Sequence, residues 1–116
     1  MLKDNYVRSA EVIRVIDGDT LEVIVDSGFK YYTVERVQVA GIKTDDIIGE
    51  NKTDRGLLAK EFVEEMLVEG SFITIQSKEI DGFGRWVCDV YYHDDLASQV
   101  NLAQLLLDKD LVNKVD

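Results

Sequence analysis

The 116-residue chain contains no proline, one cysteine (Cys88) and one histidine (His93). A single thiol excludes any internal disulfide, and its alternation with Trp86 and Val90 predicts a small apolar core residue. His93 stands beside Asp94-Asp95 at a predicted turn and reads as a solvated loop histidine, not a ligand or a base. No run approaches the ~20 apolar residues of a membrane span. The N-terminal stretch from Met1 to Tyr6 lacks the apolar centre of a signal peptide. As written, the chain is expected in the cytoplasm, or is secreted if a signal peptide has been removed. Basic residues are also scarce: 13 against 23 acidic ones give a net charge of −10. Nucleic-acid affinity rests on neutralising phosphates with Lys and Arg. The balance therefore disfavours a nucleic-acid partner and suits a basic protein partner or plain solubility.

The length is that of one domain, expected over 1–116. With no proline, glycine supplies most of the punctuation. Residues 8–16 and 20–27 are rich in Val and Ile and flank Asp17-Gly18-Asp19, a strong hairpin signal. Ser27-Gly28-Phe29 turns the chain again. Residues 30–40 read as a third strand, with Arg36, Gln38 and Ala40 on one face and Val37 and Val39 on the other. A bulge is expected near Val34-Glu35. Residues 41–54 read as a polar loop. A helix is predicted over about 55–69, with Leu58, Phe62 and Met66 in its apolar stripe beside Ala59, Val63 and Leu67, and Gly70 ending it. Residues 71–79 and 85–93 form a second hairpin around Asp81-Gly82. Ser98 is placed to cap a last helix that buries Leu102, Leu105 and Leu106. Tyr31, Tyr32, Tyr91 and Tyr92 are candidates for stacking bases, with one of each pair expected in the core. Three strands, a helix, two strands and a helix make an α+β, mainly β chain in the order of a five-stranded OB-fold barrel.

Three segments carry a family resemblance: Val15-Ile16-Asp17-Gly18-Asp19-Thr20, Asp81-Gly82-Phe83-Gly84-Arg85 and Val100-Asn101-Leu102-Ala103. In their order and spacing the chain resembles the staphylococcal nuclease (thermonuclease-like) family from about Arg8 to Val115. The resemblance implies the OB-fold barrel and calcium-assisted hydrolysis of DNA and RNA phosphodiesters. Such a site needs carboxylates around a hard cation, arginines on the phosphate, and a carboxylate that activates water.

Residue by residue, the resemblance implies that Asp19 is the first metal carboxylate, with Asp17 supporting the turn, and that Arg85 is the arginine of the second hairpin. The family's third strand ends in a pattern of the type Arg-x-x-Gly-Ile-Asp-Thr-Pro-Glu. Aligning Gly41-Ile42 on it puts Gln38 in place of the first arginine and Lys43 in place of the second metal carboxylate. Thr44 offers a backbone carbonyl, Asp45 replaces proline, and Asp46 stands for the catalytic glutamate. Lys43 replaces a ligand of charge −1 with an ammonium. At ~4 Å and an effective dielectric near 20 a unit charge costs about 4 kcal/mol, and a dication doubles it. Lys43 is expected to pair with Asp19 or Asp46, replacing the metal. Arg36, on the same strand face as Gln38, is either a substitute phosphate ligand or the partner of Glu11, Glu22 or Glu35.

The expected function is a nuclease-like domain with a degenerate metal and phosphate site, non-catalytic or strongly attenuated, acting as a binding or scaffold module. The alternatives are an active calcium-dependent nuclease and a plain OB-type binding module.

Overall fold

In the computed structural model, which describes residues 3–93 and 98–115, strand alternation builds the framework. β1 (Val7–Asp17) and β2 (Thr20–Asp26) pair antiparallel, and β3 (Tyr32–Val39) adds to β2. Alternate residues turn inward, so Ala10, Val12, Leu21, Val23, Val25, Val37 and Val39 are buried together. After the two-residue β4 (Ile42–Lys43) and helix α1 (Asp54–Met66) comes the second hairpin, β5 (Phe72–Ile80) and β6 (Trp86–His93). β7 (Gln99–Asn101), α2 (Leu102–Asp108) and β8 (Asn113–Lys114) finish the chain.

The sheet order is β3-β2-β1-β5-β6-β7, and a parallel pairing of β3 with β6 closes it. The result is a closed five-stranded mixed barrel (β1, β2, β3, β5, β6) with two helices, an OB-fold-like α+β architecture. The closing seam spans three pairs, Val37 with Trp86, Gln38 with Val87 and Val39 with Cys88. No helix among the described residues is long and apolar enough to cross a membrane.

Several details differ from the sequence reading. The β2–β3 register runs unbroken, so no bulge falls at Val34-Glu35. The irregularities lie in β1, between Val12 and Arg14 and between Val15 and Asp17, and in β5 between Ser77 and Glu79. β1 is the longest strand and pairs on both sides, so the bend that closes the barrel is concentrated there.

Helix α1 buries Gly56, Ala59 and Val63, while Leu58 is 54% exposed. Small residues set this rotation. A Cβ on Gly18 would lie 2.8 Å from the Ala59 Cβ, so the helix touches the first hairpin along its smallest side chains. The helix ends at Met66, ahead of the expected 69, where the N–H of Leu67 donates to the Val63 carbonyl. Gly70, at φ +86°, instead serves the turn into β5. Thr53 caps α1 by accepting the Gly56 N–H at 3.0 Å.

Residues 41–54 are less irregular than expected: β4 pairs with β8. Asn101, not Ser98, caps α2, because β7 pairs with β6 up to Asn101. Leu102 and Leu106 are fully buried, and Leu105 partly so. Cys88 is a core residue. Tyr92 is buried, but Tyr31 and Tyr32 are both exposed, since Tyr31 precedes β3 in a turn closed by its own N–H and carbonyl. His93 is exposed at the end of β6, and the turn predicted at Asp94-Asp95 lies outside the described residues.

Candidate functional site

Three segments meet beside the barrel: the β1–β2 turn, the β3–β4 end with its following loop, and the β5–β6 hairpin. They enclose a cleft of about 820 Å³ lined by Asp17, Asp19, Gln38, Lys43, Thr44, Asp46 and Arg85, among others. The structure thus brings together seven of the eight residues singled out from sequence. Arg36 is the exception. In the register Arg14–Glu22–Arg36 across three strands, its Nε lies 3.8 Å from Glu22 Oε2, and Arg14 Nε lies 3.4 Å from Glu22 Oε1. Arg36 is a cross-strand ion-pair partner, outside the cleft lining.

Asp19 is the buried centre, 6% exposed. Its Oδ1 lies 3.0 Å from the Thr20 hydroxyl, and its Oδ2 accepts the Thr44 N–H at 3.1 Å. Thr44 thus meets this carboxylate through its backbone N–H. The N–H of Asp19 donates to Asp17 Oδ1 at 3.0 Å. Burial pushes the Asp17 carboxyl up to about 6, helped by the neighbouring Asp19 charge. Burial works on Asp19 in the same direction but is outweighed. Hydrogen bonds from Asp17, the Thr44 N–H, Gln38 and Thr20 hold it below the ordinary carboxylate value. Of the pair, Asp17 is the carboxyl that takes up a proton first, as pH falls through about 6.

Arg85 is held from two sides. Its Nε donates to Asp81 Oδ2 at 2.6 Å and its Nη1 to the Thr20 hydroxyl at 3.2 Å. Asp81 is fixed in turn by the N–H groups of Phe83 and Arg85. The guanidinium carbon stands 5.6 Å from the centroid of the exposed Phe83 ring, in cation–π range.

Lys43 departs from expectation. It is exposed at the cleft and pairs with neither Asp19 nor Asp46; among the described residues its side chain makes no hydrogen bond or ion pair. The cause is local. β4 turns Ile42 into the core and so turns Lys43 outward, while Thr20 and Thr44 occupy the oxygens of Asp19. Asp46 is exposed as well, and its backbone carbonyl accepts the Thr53 N–H at 3.0 Å.

Sequence reasoning missed the role of Asp45. It accepts from Thr53 Oγ1 and from Asn113 Nδ2, each at 3.0 Å, and lies 3.5 Å from Arg55 Nη1. Arg55 also donates to the carbonyls of Asp110 and Val112. This network pins the loop after β4 to the C-terminal segment. The only local signal was an acid where the family pattern has proline.

The cleft wall carries six carboxyl residues, Asp17, Asp19, Asp45, Asp46, Glu79 and Asp81, against three basic ones, Lys43, Lys78 and Arg85. Among the described residues, no three His, Cys, Asp or Glu side chains are grouped to hold a metal ion. Both Asp19 oxygens are engaged by protein donors, and the exposed Lys43 lines the same cleft. No protein-family model matches the chain, and no curated protein does.

Proposed function

We propose that the chain is a nuclease-like barrel that has lost metal-dependent hydrolysis and works as a binding module, its acidic cleft receiving a basic segment of a protein partner. The single observation behind this reading is the state of Asp19. Its carboxylate is turned inward onto Thr20 and the Thr44 N–H, so the would-be ligand serves to join the β1–β2 turn to the loop after β4. The free ammonium of Lys43 and the Gln38 amide stand where a carboxylate and an arginine would be needed. The excess of acid over base in the cleft, within a chain of net charge −10, opposes a polyanion and favours a cationic partner.

One observation favours a second reading. Asp19, Thr44, Asp46 and Arg85 do line a single cleft, as a calcium-dependent nuclease of this shape would require. Calorimetric titration with calcium and an assay on single-stranded DNA separate the two. The binding-module reading expects no saturable calcium binding and no cleavage. Calcium-dependent cleavage abolished by Asp19→Ala would overturn it in favour of the enzyme.

A further inference from the structure

A second cavity, of about 280 Å³, shares no residue with the cleft. The separation follows from strand alternation: Val87 of β6, like Arg85 just before the strand, lines the cleft, whereas Trp86 and Cys88 line the second cavity. The floor is apolar and buried, made by Val25, Val37, Ile75 and Cys88. The rim carries Tyr6, Trp86, Arg8 and Glu35.

Two charged groups stand at this mouth, and they differ. Arg8 is neutralised within the chain, with Nη1 3.1 Å from Asp4 Oδ1 and Nη2 2.5 Å from Asp4 Oδ2. Glu35 is half-buried on the inward face of β3, paired in register with the fully buried Val23, and its side chain makes no hydrogen bond or ion pair among the described residues. Its charge is therefore available to a cation that reaches the mouth. Tyr6 is held at the rim in a left-handed conformation, φ 60°, uncommon for a bulky residue. Its N–H donates to Asp4 Oδ1 at 2.7 Å and its carbonyl accepts the Ser77 N–H at 3.3 Å. Strain of this kind concentrates where a ligand is clamped.

We propose that this mouth is a binding site for a free small organic cation, an alkylammonium whose head lies against Tyr6, Trp86 and Glu35 and whose apolar part enters the barrel. Aromatic faces attract an ammonium through the ring quadrupole, and a neighbouring carboxylate adds direct charge attraction. The volume lies just under the usual range for drug-sized ligands, so the occupant is small. The site is independent of the cleft and stands whether or not the cleft is catalytic.

Trp86 is the only tryptophan in the chain, so intrinsic fluorescence reports this site directly. The test titrates choline into the full chain, with its neutral carbon isostere and equimolar potassium chloride as parallel arms. Expected are a saturable fluorescence change with choline alone, a loss of affinity of about tenfold in Glu35→Gln, and a similar loss in Tyr6→Leu. Methyl NMR shifts confined to Val25, Val37 and Ile75 would locate the ligand without any variant. Equal binding of the isostere, unchanged affinity in Glu35→Gln, or no saturable response would each overturn the proposal. So would a lysine-rich peptide binding more than tenfold tighter than choline, which would assign the mouth to a polypeptide.

Discussion

Asp17→Asn should make the protein more stable at neutral pH, although it removes an acid from the centre of the cleft. Burial and Asp19 raise the Asp17 carboxyl from 3.8 to about 6. Over that interval the folded chain holds a proton that the unfolded chain has released, so stability falls as pH climbs and levels off above about 6. A rise of this size corresponds to about 3 kcal/mol for a fully enclosed group. Asp17 is only partly enclosed, and solvent screening reduces the expected effect to about 1–2 kcal/mol. Asparagine is neutral throughout, keeps an oxygen for the Asp19 N–H, and offers an amide proton where the Asp17 proton stands. Asp19 runs oppositely: held below its ordinary value, it stabilises above 3.8, and that contribution is lost as pH falls. Asp17→Asn should therefore exceed the parent by about 1–2 kcal/mol at pH 8, or about 4–8 °C in Tm, with the gap narrowing to a few tenths near pH 4. Urea unfolding followed by circular dichroism across this range measures it. A pH-independent gap, or a variant less stable than the parent at pH 8, would refute this account of the raised Asp17 carboxyl.

Gly56→Ala inverts an ordinary rule. Alanine in a helix usually gains about 1 kcal/mol over glycine, but here its Cβ would meet the backbone oxygens of Asp45 at 2.6 Å and Asp46 at 2.8 Å. A loss of about 1–3 kcal/mol is expected in denaturant titration. Leu106→Ala empties a fully buried position and should cost about 2–5 kcal/mol by the same measurement. Lys43→Asp combined with Gln38→Arg should raise calcium affinity at least tenfold by calorimetry; no gain would break the likeness of the cleft to a metal site.

The barrel was legible because its evidence is local. Asp17-Gly18-Asp19 and Asp81-Gly82 sit between alternating strands, and those hairpins are where the sequence puts them. Asp19, Thr44 and Arg85, expected together from the sequence, line one cleft. What escaped depended on partners distant in sequence. Nothing near Leu58 reveals that Gly18 and Ala59 must touch and so rotate the helix. Nothing near Asp45 announces Asn113. Lys43 was assigned an acidic partner from charge alone, whereas its direction is set by a two-residue pairing with Asn113-Lys114.

The three-pair seam between β3 and β6 is the shortest join of the barrel ring, and like the β1–β5 pairing it links stretches remote along the chain. Each hairpin can zip up from its own turn, but this join must await both, and the entropy of drawing its ends together is met only then. The amides that bond across this seam, such as that of Ala40 to the Cys88 carbonyl, should accordingly be the last of the ring to gain protection during refolding and the first to surrender it, making the seam the natural fault line of the barrel.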